Sequence, residues 1–128
     1  MKNIYVVDDS DAILTQVGEL LKPRYNVRTF RSAANLLSLA EMVKDPPAMI
    51  LLDVEMPNIE GSEAMNLIRL VPNWETVPIL LLTAWESDVL LEHFLTEGAL
   101  DVIHKPIIPS VFYSRIANYL KLAEFLNL

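Results

Sequence analysis

Cysteine is absent from the 128 residues. That excludes a disulfide framework, a thiolate zinc site and a cysteine nucleophile. Histidine is scarce too, with two in the chain, so any metal site must be built mainly from oxygen. Positive charge is in deficit. Ten basic residues stand against 17 acidic ones, for a net charge of -7. Direct nucleic-acid binding relies on neutralising phosphates, so an anionic chain argues against it. A long apolar run is also lacking. The longest uncharged stretch, Thr76 to Trp85, is about half of a spanning helix and contains Pro78. The apolar stretch near Met1 is too short for a signal peptide and runs straight into acid at Asp8. No membrane association is expected. With the missing cysteines, this points to the cytoplasm.

Low hydrophobicity, the mark of a disordered chain, is missing as well. Hydrophobic residues make up 52% and charged residues 21%, so the chain can bury a real core. Its length suits one domain of about 100 to 200 residues. Short, β-branched apolar runs recur at Ile4–Val7, Tyr25–Phe30, Ala48–Leu52, Pro78–Leu82 and Asp101–Ile103. Between them lie stretches with helical spacing. Ile13, Val17, Leu20 and Leu21 share one face, as do Ala64, Leu67, Ile68 and Val71. The first, third and fourth runs are nearly all apolar, as in parallel strands covered on both faces. Five strand–helix units predict a right-handed, doubly wound α/β domain. Pro46-Pro47 separates the second helix from the third strand, and Pro72 ends the third helix. Gly98 stops the fourth helix, and Pro109 opens the last.

Ligands of an open parallel α/β sheet bind beyond the carboxyl ends of its strands. Asp8 and Asp9 end the first strand, Asp53 the third and Thr83 the fourth, and Lys105-Pro106 follows the fifth. Asp9, Ser10 or Asp11 can cap the first helix, but three acids in four positions exceed what capping needs. Carboxylates on adjacent central strands repel each other, and a hard divalent cation relieves that repulsion. A carboxylate beside such a cation can attack phosphorus and form an aspartyl phosphate. Lys105 is then a point-charge phosphate binder, and Thr83 a hydroxyl donor to one phosphoryl oxygen.

With these residues in place, the sequence resembles the receiver domain of two-component response regulators, close to the chemotaxis-regulator type. The resemblance runs from Ile4 to about Leu120. It rests on Asp8-Asp9, the run Asp53-Val54-Glu55-Met56-Pro57-Asn58-Ile59-Glu60-Gly61, Thr83-Ala84, Gly98-Ala99 and His104-Lys105-Pro106. It implies a flavodoxin-like (βα)5 domain with a parallel sheet of order 2-1-3-4-5. It implies that Asp53 accepts a phosphoryl group from a histidine kinase or histidine phosphotransfer protein, with Thr83 and Lys105 assisting. Mg2+, with Mn2+ as a substitute, is then held by Asp8, Asp9, Asp53 and the backbone carbonyl of Glu55. The Lys105–Pro106 bond resembles the family's cis peptide. Phosphorylation adds charge at the end of the third strand and shifts the surface of the fourth helix, fifth strand and fifth helix. The readout is a partner protein, a homodimer or an effector domain. The domain is a signalling switch rather than an enzyme, although it catalyses its own phosphorylation and dephosphorylation.

Two departures from the pattern stand out. Val102 occupies the position three before the lysine where the family often carries an aromatic. Trp85 lies two positions after Thr83, with Phe94 in the fourth helix, and either covers the helix surface or screens the phosphoryl group from water. His93 and His104 read as a surface helix residue and a strand-end neighbour. A flavodoxin-like cofactor binder needs an anion-friendly first loop, which Asp8-Asp9-Ser10-Asp11 reverses. An aspartyl-phosphate phosphatase needs a cap domain. A degenerate receiver that works only as a phosphorylation-independent interaction module is the remaining alternative. Residues 1–122 form the receiver. Residues 123–128 extend the last helix, and Leu120, Leu122, Ala123, Phe125, Leu126 and Leu128 cannot all face one core. We read that tail as a dimer seam or a linker to an effector domain.

Overall fold

The computed structural model describes residues 1–55 and 61–126. Met56 to Glu60 of the quoted motif, and Leu128 of the tail, lie outside the described residues. Five strands alternate with five helices in the order β1 (Asn3–Val7), α1 (Asp11–Leu21), β2 (Asn26–Phe30), α2 (Ala33–Ala40), β3 (Met49–Asp53), α3 (Gly61–Arg69), β4 (Ile79–Thr83), α4 (Asp88–Thr96), β5 (Asp101–His104) and α5 (Pro109–Phe125). All neighbouring strands pair in parallel, and the sheet order is β2-β1-β3-β4-β5. This is the expected doubly wound sheet. Each predicted strand lies within a residue or so of its place.

Alternation along the strands separates two cores, because successive side chains point to opposite faces. Ile4, Val6, Met49, Leu51, Leu80, Leu82 and Ile103 pack with α1 and α5. Tyr5, Val7, Ile50, Leu52, Ile79, Leu81 and Val102 pack with α2, α3 and α4. The central strands β3 and β4 are buried throughout, whereas edge strand β2 is half-exposed. On α1 the buried face is Leu14, Val17, Gly18 and Leu21. Ile13 and Leu20, placed on that face by spacing, sit at its partly buried margin. Trp74, in the loop after α3, is fully buried and packs near Tyr5 with ring centroids 6.0 Å apart.

The helix ends follow from local chemistry. Ser10, Ser32 and Ser87 cap α1, α2 and α4 by accepting the N–H three residues on. Pro109 opens α5 without a side-chain cap. Gly98 adopts φ 115° and closes α4 in a Schellman motif, with Gly98 N–H donating to Leu95 O and Ala99 N–H to Phe94 O. Arg69, at the end of α3, donates to Val77 O and Gly98 O and so ties α3, the segment before β4 and the α4 stop together. On α5, Leu120 and Ala123 face the core, while Leu122, Phe125 and Leu126 are exposed. Among the described residues, no helix is long and apolar enough to cross a membrane.

Gly61 marks where the chain runs closest to its neighbours. A Cβ there would meet Val54 Cγ1 at 2.8 Å and Phe94 Cε1 at 3.0 Å. Gly61→Ala is expected to cost about 1–3 kcal/mol, as overpacking does. A urea denaturation midpoint equal to wild type would contradict this packing of α3 against α4.

Candidate functional site

The carboxyl end of the sheet gathers four carboxylates, three of them within 4.0 Å of one ammonium. Asp8, directly after β1, and Asp53, the last residue of β3, are 0% and 2% exposed. Parallel pairing of β1 with β3 brings these strand ends side by side. Each aspartate turns one oxygen back to its own chain. Ser10 N–H donates to Asp8 Oδ1 at 2.9 Å, and Glu55 N–H donates to Asp53 Oδ1 at 2.9 Å. These Asx turns fix both side chains at the mouth of the sheet. Asp9 is exposed and completes a group with Asp8 and Asp53 in which one oxygen of each lies within 4.8 Å of the others.

Lys105 enters from the turn after β5. Its N–H donates to Thr83 O at 2.8 Å, and its peptide bond to Pro106 is cis. Its Nζ lies 2.9 Å from Asp8 Oδ2, 3.5 Å from Asp53 Oδ1 and 3.9 Å from Glu55 Oε2. Burial disfavours the ammonium, but the hydrogen bond to Asp8 and the charges of Asp53, Asp8 and Glu55 outweigh it and raise its pKa. Asp53 moves the other way for a carboxylate. Burial and the charge of Asp8 push it up to about 6, against the opposing Glu55 N–H and Lys105.

The residues fit a hard divalent cation. Asp8 Oδ2 is buried and, among the described residues, its one partner is the Lys105 ammonium 2.9 Å away, which leaves a lone pair to spare. A buried carboxylate oxygen with spare acceptor capacity, next to two further carboxylates, is the oxygen donor set that magnesium takes.

Thr83 is fully buried at the end of β4. Its Oγ1 accepts from Trp85 N at 2.9 Å, which leaves its own proton free to donate. Trp85 stacks on Phe94 of α4, with centroids 6.2 Å apart and an interplanar angle of 22°. Val102 is buried in the same apolar cluster. His93 is exposed, as expected, but it also bridges Ser62 Oγ and Glu97 Oε1, each at 3.1 Å. His104 is exposed at the end of β5. From its place two positions after Asp53, the sequence suggests that Glu55 influences the water attacking the phosphoryl group, but it does not foretell the contact the carboxylate makes. The carboxylate reaches across to β4, where Oε2 accepts Ala84 N–H at 3.1 Å. An acid two residues beyond a strand-end acid is the available signal, but spacing cannot say which way it points.

The Asp53 shift carries a stability consequence. The folded chain holds this proton more tightly than the unfolded chain, whose carboxyl titrates near 3.8. Its contribution to stability is therefore full at low pH, falls between about pH 4 and 6, and is lost above. In chelator, Asp53→Asn is expected to stabilise the domain by about 1–2 kcal/mol at pH 7.5, with the gain shrinking as pH falls from 6 to 4. Thermal unfolding across that pH range measures it. A gain independent of pH would contradict the assignment.

Comparison with known proteins agrees with this geometry. The response regulator receiver domain model matches residues 4–117. The chain is 30% identical over 125 residues to the cyclic di-GMP phosphodiesterase response regulator RpfG of Xanthomonas campestris, covering 95% of this chain and 32% of that protein. It is 33% identical over 124 residues to the transcriptional regulatory protein AfsQ1 of Streptomyces coelicolor, covering 97% of this chain and 53% of that one. The chain thus spans about a third to a half of the length of these relatives. Among solved structures, the chemotaxis protein CheY4 of Vibrio cholerae superposes with a TM-score of 0.84 at 27% identity, covering 92% of this chain and 98% of that one. The beryllofluoride-activated receiver domain of DrrB from Thermotoga maritima superposes with a TM-score of 0.83 at 28% identity, covering 94% and 98%. With acids at the ends of β1 and β3 and a lysine after β5 meeting at one end of a 2-1-3-4-5 sheet, this chain belongs to the receiver domains of two-component response regulators.

Proposed function

We propose that the domain is a phosphorylation-activated switch with Asp53 as the phosphoryl acceptor. The observation that carries this reading is the meeting of Asp53, two further aspartates and Lys105 at one mouth of the sheet. In the step, an Asp53 carboxylate oxygen attacks phosphorus of a phosphohistidine on a histidine kinase or histidine phosphotransfer protein. The O–P bond forms, the N–P bond breaks, and the imidazole leaves with its electron pair and takes up a proton. Hydrolysis reverses the state: water attacks phosphorus and frees inorganic phosphate and the carboxylate.

Asp8, Asp9, Asp53 and the Glu55 carbonyl are the residues that would hold Mg2+ or Mn2+. When bound, the ion supplies positive charge to the phosphoryl oxygens. The chain's own residues do the rest. Lys105 already sits on the acceptor and neutralises charge from the side of β5. The Thr83 proton is free to donate to a phosphoryl oxygen. Drawing Thr83 inward would disturb its bond to Trp85 N–H, and Trp85 rests on Phe94 of α4. That gives the charge at Asp53 a contiguous route to the α4 surface, where two arrangements of the loop would exchange population.

The reading makes the domain a signalling element of the cytoplasm rather than a turnover enzyme, with no direct nucleic-acid contact. Residues 1–122 would be the receiver, and residues 123–128 its helical extension. The exposed Leu122 and Phe125 suit a homodimer seam, a downstream protein or an effector domain such as those of the longer relatives. In acetyl phosphate with Mg2+, intact mass should rise by one phosphoryl group, and Trp85 fluorescence should change with it. Chelator or Asp53→Asn should abolish both. Partner regulation that persists without any adduct would instead support the phosphorylation-independent module.

A further inference from the structure

We propose that the Glu55 carboxylate is a built-in competitor of the phosphoryl group, an internal anion that must leave its place for the switch to throw. This inference rests on the reading of Asp53 as acceptor. Glu55 Oε2 accepts Ala84 N–H at 3.1 Å, at the first residue past β4, and lies 3.9 Å from Lys105 Nζ. Asp53 Oδ1 lies 3.5 Å from the same ammonium. Glu55 is therefore hydrogen-bonded to one donor, the Ala84 N–H, and paired at longer range with a second, the Lys105 ammonium that also faces Asp53. A group attached to Asp53 brings up to two further negative charges and strong acceptor oxygens into that space. Its oxygens need donors, and a backbone N–H has one proton to give.

The charge balance points the same way. Asp8, Asp53 and Glu55 all lie within 4.0 Å of one ammonium, with Asp9 alongside. Of the three carboxylates on Lys105, Asp8 and Asp53 are buried and fixed by their own turns, whereas Glu55 is 26% exposed and can swing into water. Expelling Glu55 costs its bond to Ala84 and returns both donors to the incoming anion. In the resting state the same bond joins the β3–α3 turn to the start of the β4–α4 loop. Glu55 thereby holds the loop in place by making the contact that phosphorylation would otherwise make.

The test uses beryllofluoride, in Mg2+, as the phosphoryl probe on wild type, Glu55→Gln and Glu55→Ala. Both substitutions keep the backbone carbonyl. Trp85 fluorescence gives the affinity, and NMR hydrogen exchange of the Ala84 amide without beryllofluoride reports the bond itself. We expect about tenfold tighter binding for Glu55→Ala, a smaller gain for Glu55→Gln, and faster Ala84 exchange in Glu55→Ala. Tightening without a change in Ala84 exchange would overturn the competitor, since relief of general repulsion then suffices. Equal affinities in all three proteins, or weaker binding in both variants, would also overturn it while leaving Asp53 as acceptor. Failure of all three to bind would overturn the acceptor reading and this inference with it.

Discussion

Two buried carboxylates share one partly buried ammonium, and the rest of the site is arranged around that constraint. Asp8 and Asp53 sit at the ends of adjacent central strands, almost wholly out of water. Neither can move away, because each is pinned through one oxygen to the backbone two residues on. Lys105 is held between them by a turn whose first N–H is bonded to β4. Charges packed this way cost stability unless further positive charge arrives. The rise of Asp53 to about 6 is that cost expressed as a proton affinity. The domain thus carries a local instability that a bound cation would relieve, as would the chemical change at Asp53 that we propose.

The scaffold makes the tension usable. β3 and β4 are buried on both faces and give the site a rigid floor. The segments above it are less enclosed and connect to one another. Val54 lies against Gly61, Gly61 against Phe94, and Phe94 against Trp85, whose N–H is bonded to Thr83. The loop after β4 is therefore in continuous contact with both the acid site and α4. Val102 is buried in the same apolar cluster as Phe94, with Trp85 packed against it.

Much of this was legible in the sequence. Strand identity was written in β-branched runs, and strand ends in the polar residues that follow them. Because ligands gather at the carboxyl ends of parallel strands, the order of residues alone brings Asp8, Asp9, Asp53 and Lys105 together. Side-chain direction was not legible. Nothing in the order of residues says that Glu55 turns toward Ala84, or that His93 joins Ser62 to Glu97, since those contacts depend on where two loops or helices meet. Trp74 was missed for a related reason. It lies in a loop, where no periodicity marks a buried position, yet it fills the core beneath Tyr5. On α1 the spacing placed Ile13 and Leu20 on the buried face, but helix rotation against the sheet favoured Leu14 instead.

The acids at the sheet mouth form a destabilised site that a hard divalent cation would complete. The most direct test is the unfolding midpoint of wild type as Mg2+ is titrated at constant ionic strength and pH 7.5, alongside Asp8→Asn. Specific binding to the folded state predicts a midpoint that climbs with the logarithm of Mg2+ concentration in wild type. The slope should be much reduced in the variant. A wild-type midpoint that stays flat through tens of millimolar Mg2+, with the fold intact, would contradict the account.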